Sequence, residues 1–125
     1  MNQKNENERA GGPKLIFACS GAADVGEISD RAARNMTRDG AGKMLCLAGI
    51  AGRIPGIMKM TEAASKILAI DGCELDCVKN CLRQAGFKQF DHFCVTYLEL
   101  EKGNTTVNNE NIAKVVSRGK EMLIS

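Results

Sequence analysis

Three short apolar runs, Leu15-Ile16-Phe17-Ala18, Met44-Leu45-Cys46-Leu47 and Ile67-Leu68-Ala69-Ile70, each lead, directly or through a loop, into a stretch with helical spacing. Apolar runs this short, bounded by turn residues, read as strands buried on both faces. Strands alternating with helices pair in parallel through crossovers that cover both sides of the sheet. The predicted architecture is therefore an α/β three-layer sandwich, with a mainly parallel sheet of about four strands and helices on both faces.

The first unit is a strand over Lys14–Cys19, then a helix starting at Asp24 with Glu27 completing a capping box. Ile28, Ala32 and Met36 share a face, and the helix runs to about Arg38 before Gly40 stops it in a left-handed cap. A second strand is predicted over Lys43–Ala48. The glycines and proline of Gly49–Gly56 favour a loop, and a helix or helical turn follows over residues 56–66. The third strand, Lys66–Ile70, is stopped by Asp71-Gly72, and a helix over Glu74–Ala85 follows, with Leu75, Val78, Leu82 and Ala85 facing the core and Gly86 ending it. A strand lies within Phe90–Leu100, and Asn108 or Asn109 caps a last helix through Ile112, Val115, Val116 and Met122.

The 125 residues, 44% hydrophobic, suffice for one domain with a real core and leave no room for a second of ordinary size. Residues 1–13 are polar and read as a flexible tail, leaving residues 14–125 as the domain. No secretory leader and no apolar run of the ~20 residues that span a bilayer are visible, so a membrane is not expected as a partner. The formal net charge of +2 is small, bases and acids are interspersed, and aromatics make up 4%, which argues against nucleic acid as a partner. Six cysteines without a leader read as reduced thiols in a cytoplasmic protein.

In a parallel sheet every strand-to-helix turn lies at the carboxyl edge, where α/β proteins bind their ligands. Cys19, Cys46 and Cys73 occupy or adjoin three such turns, and Cys77 follows Cys73 by four residues, one helical turn. Four thiols at one edge predict a metal-thiolate site. The positive end of the helix is expected to ease ionisation of Cys73 and Cys77. Cys81 would lie about 12 Å beyond Cys73 along a continuous helix, so it stays outside the ligand set unless the helix begins later. Cys94, within Phe93-Cys94-Val95, reads as a packed core thiol.

Other signals are weaker. His92, the one histidine, reads as a structural or surface residue. Asp71 is either an ordinary turn residue or an outer hydrogen-bond partner that orients a ligand. The Arg53–Lys59 stretch is either a solvated loop or a lid over the metal edge. Gly49-x-x-Gly52 meets the requirements of neither a dinucleotide fingerprint nor a phosphate loop.

Three segments carry a family resemblance: Ala18-Cys19-Ser20-Gly21-Ala22 with Val25-Gly26, Cys46-Leu47-Ala48-Gly49-Ile50, and Ala69-Ile70-Asp71-Gly72-Cys73-x-x-x-Cys77. With these the chain resembles the DGC domain family, small prokaryotic zinc-binding proteins named for the Asp-Gly-Cys motif, over about residues 14–86 and the strand and helix beyond. The resemblance implies Cys19, Cys46, Cys73 and Cys77 as metal ligands, and no established reaction.

The expected function is that of a metal-binding protein rather than an enzyme, with zinc held by four thiolates in a structural, carrier or sensory role. Four protein ligands leave no position for a catalytic water. An iron-sulfur cluster is an alternative occupant, since four thiolates also satisfy its ligation. The alternative activity is thiol redox or sulfur-transfer chemistry, with Cys19 or Cys73 attacking and Cys77 resolving. Against it, no Cys-x-x-Cys is present, and Val25 stands six positions after Cys19, where anion-binding cysteine loops carry arginine.

Overall fold

The computed structural model describes residues 11–125; most of the expected polar tail lies outside them. Strands β1 (Lys14–Ala18), β2 (Lys43–Met44), β3 (Lys66–Asp71) and β4 (Asp91–Cys94) form one parallel sheet in the order β2-β1-β3-β4. Pairing of β1 with β3 runs from Lys14 opposite Lys66 to Ala18 opposite Ile70. After its first residue β1 is buried throughout, and β3 likewise, without alternation, because helices cover both faces.

On one face lie α1 (Asp24–Arg38) and, after a 3₁₀ turn (Val95–Leu98), the last helix α5 (Asn109–Ile124). Ile28, Ala32 and Met36 of α1 and Ile112, Val115 and Leu123 of α5 close over Ile16, Leu68 and Ile70. On the other face α2 (Leu47–Ala51), α3 (Pro55–Glu62) and α4 (Cys77–Gln84) bring Ile50, Ile57, Val78 and Leu82 onto Leu15, Phe17, Ile67 and Ala69. The result is the three-layer α/β arrangement predicted from the pattern of runs.

The helix ends follow local chemistry. Gly40 and Gly86 adopt φ of 78° and 96° and terminate α1 and α4. At both, the next residue's N–H closes onto the carbonyl five residues back, Ala41 to Met36 and Phe87 to Leu82. Asn108 caps α5 by accepting from the Asn111 N–H at 2.8 Å.

Several local expectations differ. β2 is only two residues long, and Leu47–Ala51, within the apolar run and expected loop, forms a helix. The cap of α1 is Ala23, whose side chain cannot bond, while the Asp24 carboxylate accepts from the N–H groups of Gly103 and Thr105 at 3.0 Å each. The helix expected from Glu74 begins at Cys77, and Leu75 is 68% exposed instead of core-facing. The strand in Phe90–Leu100 stops at Cys94, so Tyr97 falls in the 3₁₀ turn and is exposed.

Candidate metal centre

The strand order reverses between β1 and β3, and the crevice beyond their carboxyl ends is where such folds take ligands. The Cys19 N–H donates to the Ile70 carbonyl at 2.9 Å, which seats Cys19 directly beside the end of β3. On the other side of that gap β3 closes with Asp71, then Gly72 and Cys73. A β-carbon on Gly72 would lie 3.1 Å from the Gly26 nitrogen, so the motif glycine lets the first turn of α1 pack against the end of β3.

Asp71 explains why α4 starts where it does. Its buried carboxylate accepts from the N–H of Val78 at 2.7 Å and of Lys79 at 3.1 Å, and from His92 Nε2 at 2.9 Å. Two open amides of the first helical turn are thereby satisfied from the strand instead of from the residue preceding the helix. Asp71 is thus more than a turn residue.

Cys77 is the first residue of α4, and Cys81 lies one turn further on the same face. The delayed start removes the reason for setting Cys81 aside. The Cys77 thiol pKa is raised, first by loss of solvent around the sulfur, although the residue as a whole is exposed. The charges of Asp71, Cys19, Cys73 and Cys81 follow. The direction is opposite to the one expected for Cys77 from the helix end, with desolvation the first cause.

Cys46 is placed differently. It caps α2 through its backbone, its side chain makes no cap hydrogen bond, and it is exposed. It lines a groove of about 1060 Å³ together with Arg31, Arg34 and Arg38, a groove lined by none of Cys19, Cys73 and Cys77. The Arg53–Lys59 stretch is no lid: Arg53 donates to the Gln84 carbonyl at 3.0 Å, at the end of α4 opposite Cys77, and Pro55 onward is helical.

Lys102 brings a cation to this edge, with Nζ 3.5 Å from Cys73 Sγ. Its loop is held by the Asp24 carboxylate, whose bonds from Gly103 and Thr105 hold its pKa below the ordinary aspartate value.

Among the described residues the donors that converge closely enough for an ion are not those of the four-cysteine set. Asp76, His92 and Cys94 place one donor atom each within 4.8 Å of one another, a possible metal-binding group. Cys94 Sγ donates to Asp76 Oδ1 at 3.3 Å and to the Cys73 carbonyl at 3.4 Å. Its thiol is pushed up to about 12, first by burial and then by its hydrogen bond to Asp76. His92 Nε2 stands 3.5 Å from Asp76 Oδ1, and the Tyr97 ring lies edge-on to the imidazole at 6.4 Å. One nitrogen cannot both take the Cys94 proton and donate to Asp71, so these residues do not form a cysteine-histidine-aspartate relay.

Cys94 is buried as expected, but its sulfur has polar partners, and neither it, His92 nor Asp76 stood out in the sequence as a ligand. His92 and Cys94, two apart on a strand, share a face, which is the local signal available. Asp76 carries no local signal of its own.

Comparison with known proteins places these features in a family. The sequence model of the DGC domain matches residues 15–118. The chain is also similar to the anaerobic and virulence modulator AnvM of Pseudomonas aeruginosa strain PAO1, with 38% identity over 68 residues, 54% of this chain and 52% of that protein. The matched stretch thus spans about half the length of that relative. No solved structure matches. Since the DGC model spans the whole carboxyl edge with every cysteine of the chain, this protein belongs to the DGC domain family.

Proposed function

We propose that residues 14–125 form one metal-binding domain, which holds a zinc ion through Cys19, Cys46, Cys73 and Cys77 in a structural, carrier or sensory role. The observation that carries this reading is the seating of Cys19 beside the end of β3, its N–H donating to the Ile70 carbonyl at 2.9 Å, at the point where strand order reverses and Cys73 and Cys77 follow. Soft thiolates favour zinc over magnesium or calcium, and a full set of four leaves no open position for hydrolysis. The role needs reduced thiols, which a cytoplasm supplies. The relative's name, an anaerobic and virulence modulator, is compatible with the sensory form of the role.

Cys46 and Cys81 compete for the fourth place. Zinc content of the purified chain is measured for Cys19→Ser, Cys46→Ser, Cys73→Ser, Cys77→Ser and Cys81→Ser. The first four are expected to lose one equivalent each and Cys81→Ser none. Full retention in Cys73→Ser or Cys77→Ser defeats the proposal, while loss in Cys81→Ser with retention in Cys46→Ser exchanges the fourth ligand. Iron and sulfide in the same elemental analysis, with visible colour, point to a cluster instead of zinc.

A second reading rests on the Lys102 ammonium beside Cys73 Sγ. On this reading Cys73, with the ammonium beside it, is the attacking thiol of a redox or sulfur-transfer enzyme with Cys77 resolving. Alkylation of metal-free protein separates the readings: this one requires Cys73 to react fastest and to slow in Lys102→Met.

A further inference from the structure

The Asp76 carboxylate is oriented in an unusual way. Asp76 immediately precedes α4, the position where an aspartate ordinarily caps its helix, yet its side chain makes no cap hydrogen bond. Asp71 already occupies the first amides of the helix. Asp76 instead adopts the left-handed conformation, φ 54° and ψ 44°, which disfavours residues with a β-carbon, and its Oδ1 meets Cys94 Sγ and His92 Nε2.

We propose that Asp76 Oδ1, His92 Nε2 and Cys94 Sγ form a second site for a divalent transition metal of the zinc class, separate from the four-cysteine set. Around a tetrahedral zinc, bond lengths of about 2.0–2.3 Å place oxygen, nitrogen and sulfur donors roughly 3.3–3.6 Å apart. Sulfur to oxygen is 3.3 Å here and nitrogen to oxygen 3.5 Å, so two of the three edges already have the coordinated length. One oxygen, one nitrogen and one sulfur form a donor set suited to this class of ion.

The surroundings are consistent with an ion. Asp71 gives up one of its three partners when His92 Nε2 turns to the metal, and it keeps both helix amides. The other Asp76 oxygen stays with Lys79, 3.5 Å away. Binding replaces the Cys94 S–H bond by a sulfur-metal bond, and the proton leaves to solvent. The neutral imidazole carries its remaining proton on Nδ1. Two ligand charges, from Asp76 and Cys94, then balance the divalent ion. Three protein ligands leave one position for water, and Asp76 and His92 are only partly buried, which provides the approach.

The same contacts without a metal would be a hydrogen-bonded strap between α4 and β4, and the test separates the two. Cobalt(II) is titrated into metal-free full-length chain under anaerobic conditions, with bound metal counted by equilibrium dialysis and thiolate ligation read from the sulfur-to-cobalt charge-transfer absorption. The background is Cys73→Ser/Cys77→Ser, which removes the four-cysteine site whatever its standing. One cobalt per chain with a thiolate band is expected, and His92→Gln or Asp76→Asn in that background should weaken binding by at least about tenfold, the effect of losing even an outer partner. The proposal is overturned by no cobalt uptake in a background with an unchanged circular dichroism spectrum, or by uptake that neither substitution weakens. Should Cys94→Ser fail to fold, these two side-chain changes still decide, since glutamine keeps a donor for Asp71 and asparagine keeps an acceptor for Cys94.

Discussion

A methyl group on Gly72 would meet backbone on one side and the Val25 side chain on the other, at 3.1–3.2 Å. Backbone of α1 cannot swing aside as a flexible side chain can, so Gly72→Ala is expected to destabilise the fold by about 1–3 kcal/mol. Urea unfolding checks this, and a midpoint equal to that of the unchanged protein contradicts the close-packing account. Asp24 offers a pH test at the same corner. Its folded pKa lies below 3.8 because the Gly103 N–H first, and the Thr105 N–H next, hydrogen-bond the carboxylate. A depressed folded pKa contributes stability that is complete above the unfolded value and is lost as pH falls through the folded one. Asp24→Asn should therefore show a shallower loss of stability below about pH 4 than the unchanged protein. Acid titrations of both, followed by circular dichroism, compare the slopes, and parallel curves reject the assignment.

Helix α4 shows how an element's start can be set from outside it. Turn residues and apolar spacing in Glu74–Ala85 allowed a helix beginning at Glu74, and Gly86 marked its end correctly. Its beginning is decided by Asp71, which reaches from the strand to the amides of Val78 and Lys79. Asp71→Ala leaves those amides without their acceptor and should cost about 1–3 kcal/mol. Hydrogen exchange should quicken first at Val78 and Lys79, and unaltered protection there would refute the anchoring role. A capping search confined to three residues on either side of a helix start would miss a partner seven residues away.

Across the molecule the two apolar clusters lie on the faces of the sheet, whereas Cys19, Cys46, Cys73 and Cys77 lie at its edge and are partly or fully exposed. The buried members of both clusters are other residues, with Cys73 packed against one cluster and Cys19 against the other. Removing metal with a chelator should leave the far-ultraviolet circular dichroism spectrum and cooperative unfolding in place, unlike a zinc finger, which unfolds without its ion. Loss of helical signal on chelation would show that metal completes the fold. In contrast, Leu68→Ala opens the layer under α1 and α5, where Leu68 is fully buried, and should cost about 2–5 kcal/mol. Thermal unfolding of the metal-free protein measures it free of ligand effects. Among the described residues no helix is long and apolar enough to cross a membrane.

Local periodicity was enough for the α/β class, for the strands that begin at Lys14 and Lys66, each within one residue of its observed end, and for the stops at Gly40 and Gly86, because side-chain spacing and glycine's left-handed backbone act within a few residues. It also brought thiols to strand ends, since in a parallel sheet those ends share one edge. Tertiary structure decided the order β2-β1-β3-β4, which puts Cys19 next to β3 and leaves Cys46 beside a groove on the far side of β1. It decided the late start of α4, so that no continuous helix joins Cys73 to Cys81. It alone joined Asp76 to Cys94, eighteen residues on. Sequence spacing carries no information about such a pair, because the distance between them is set by the packing of a helix start against the end of a neighbouring strand.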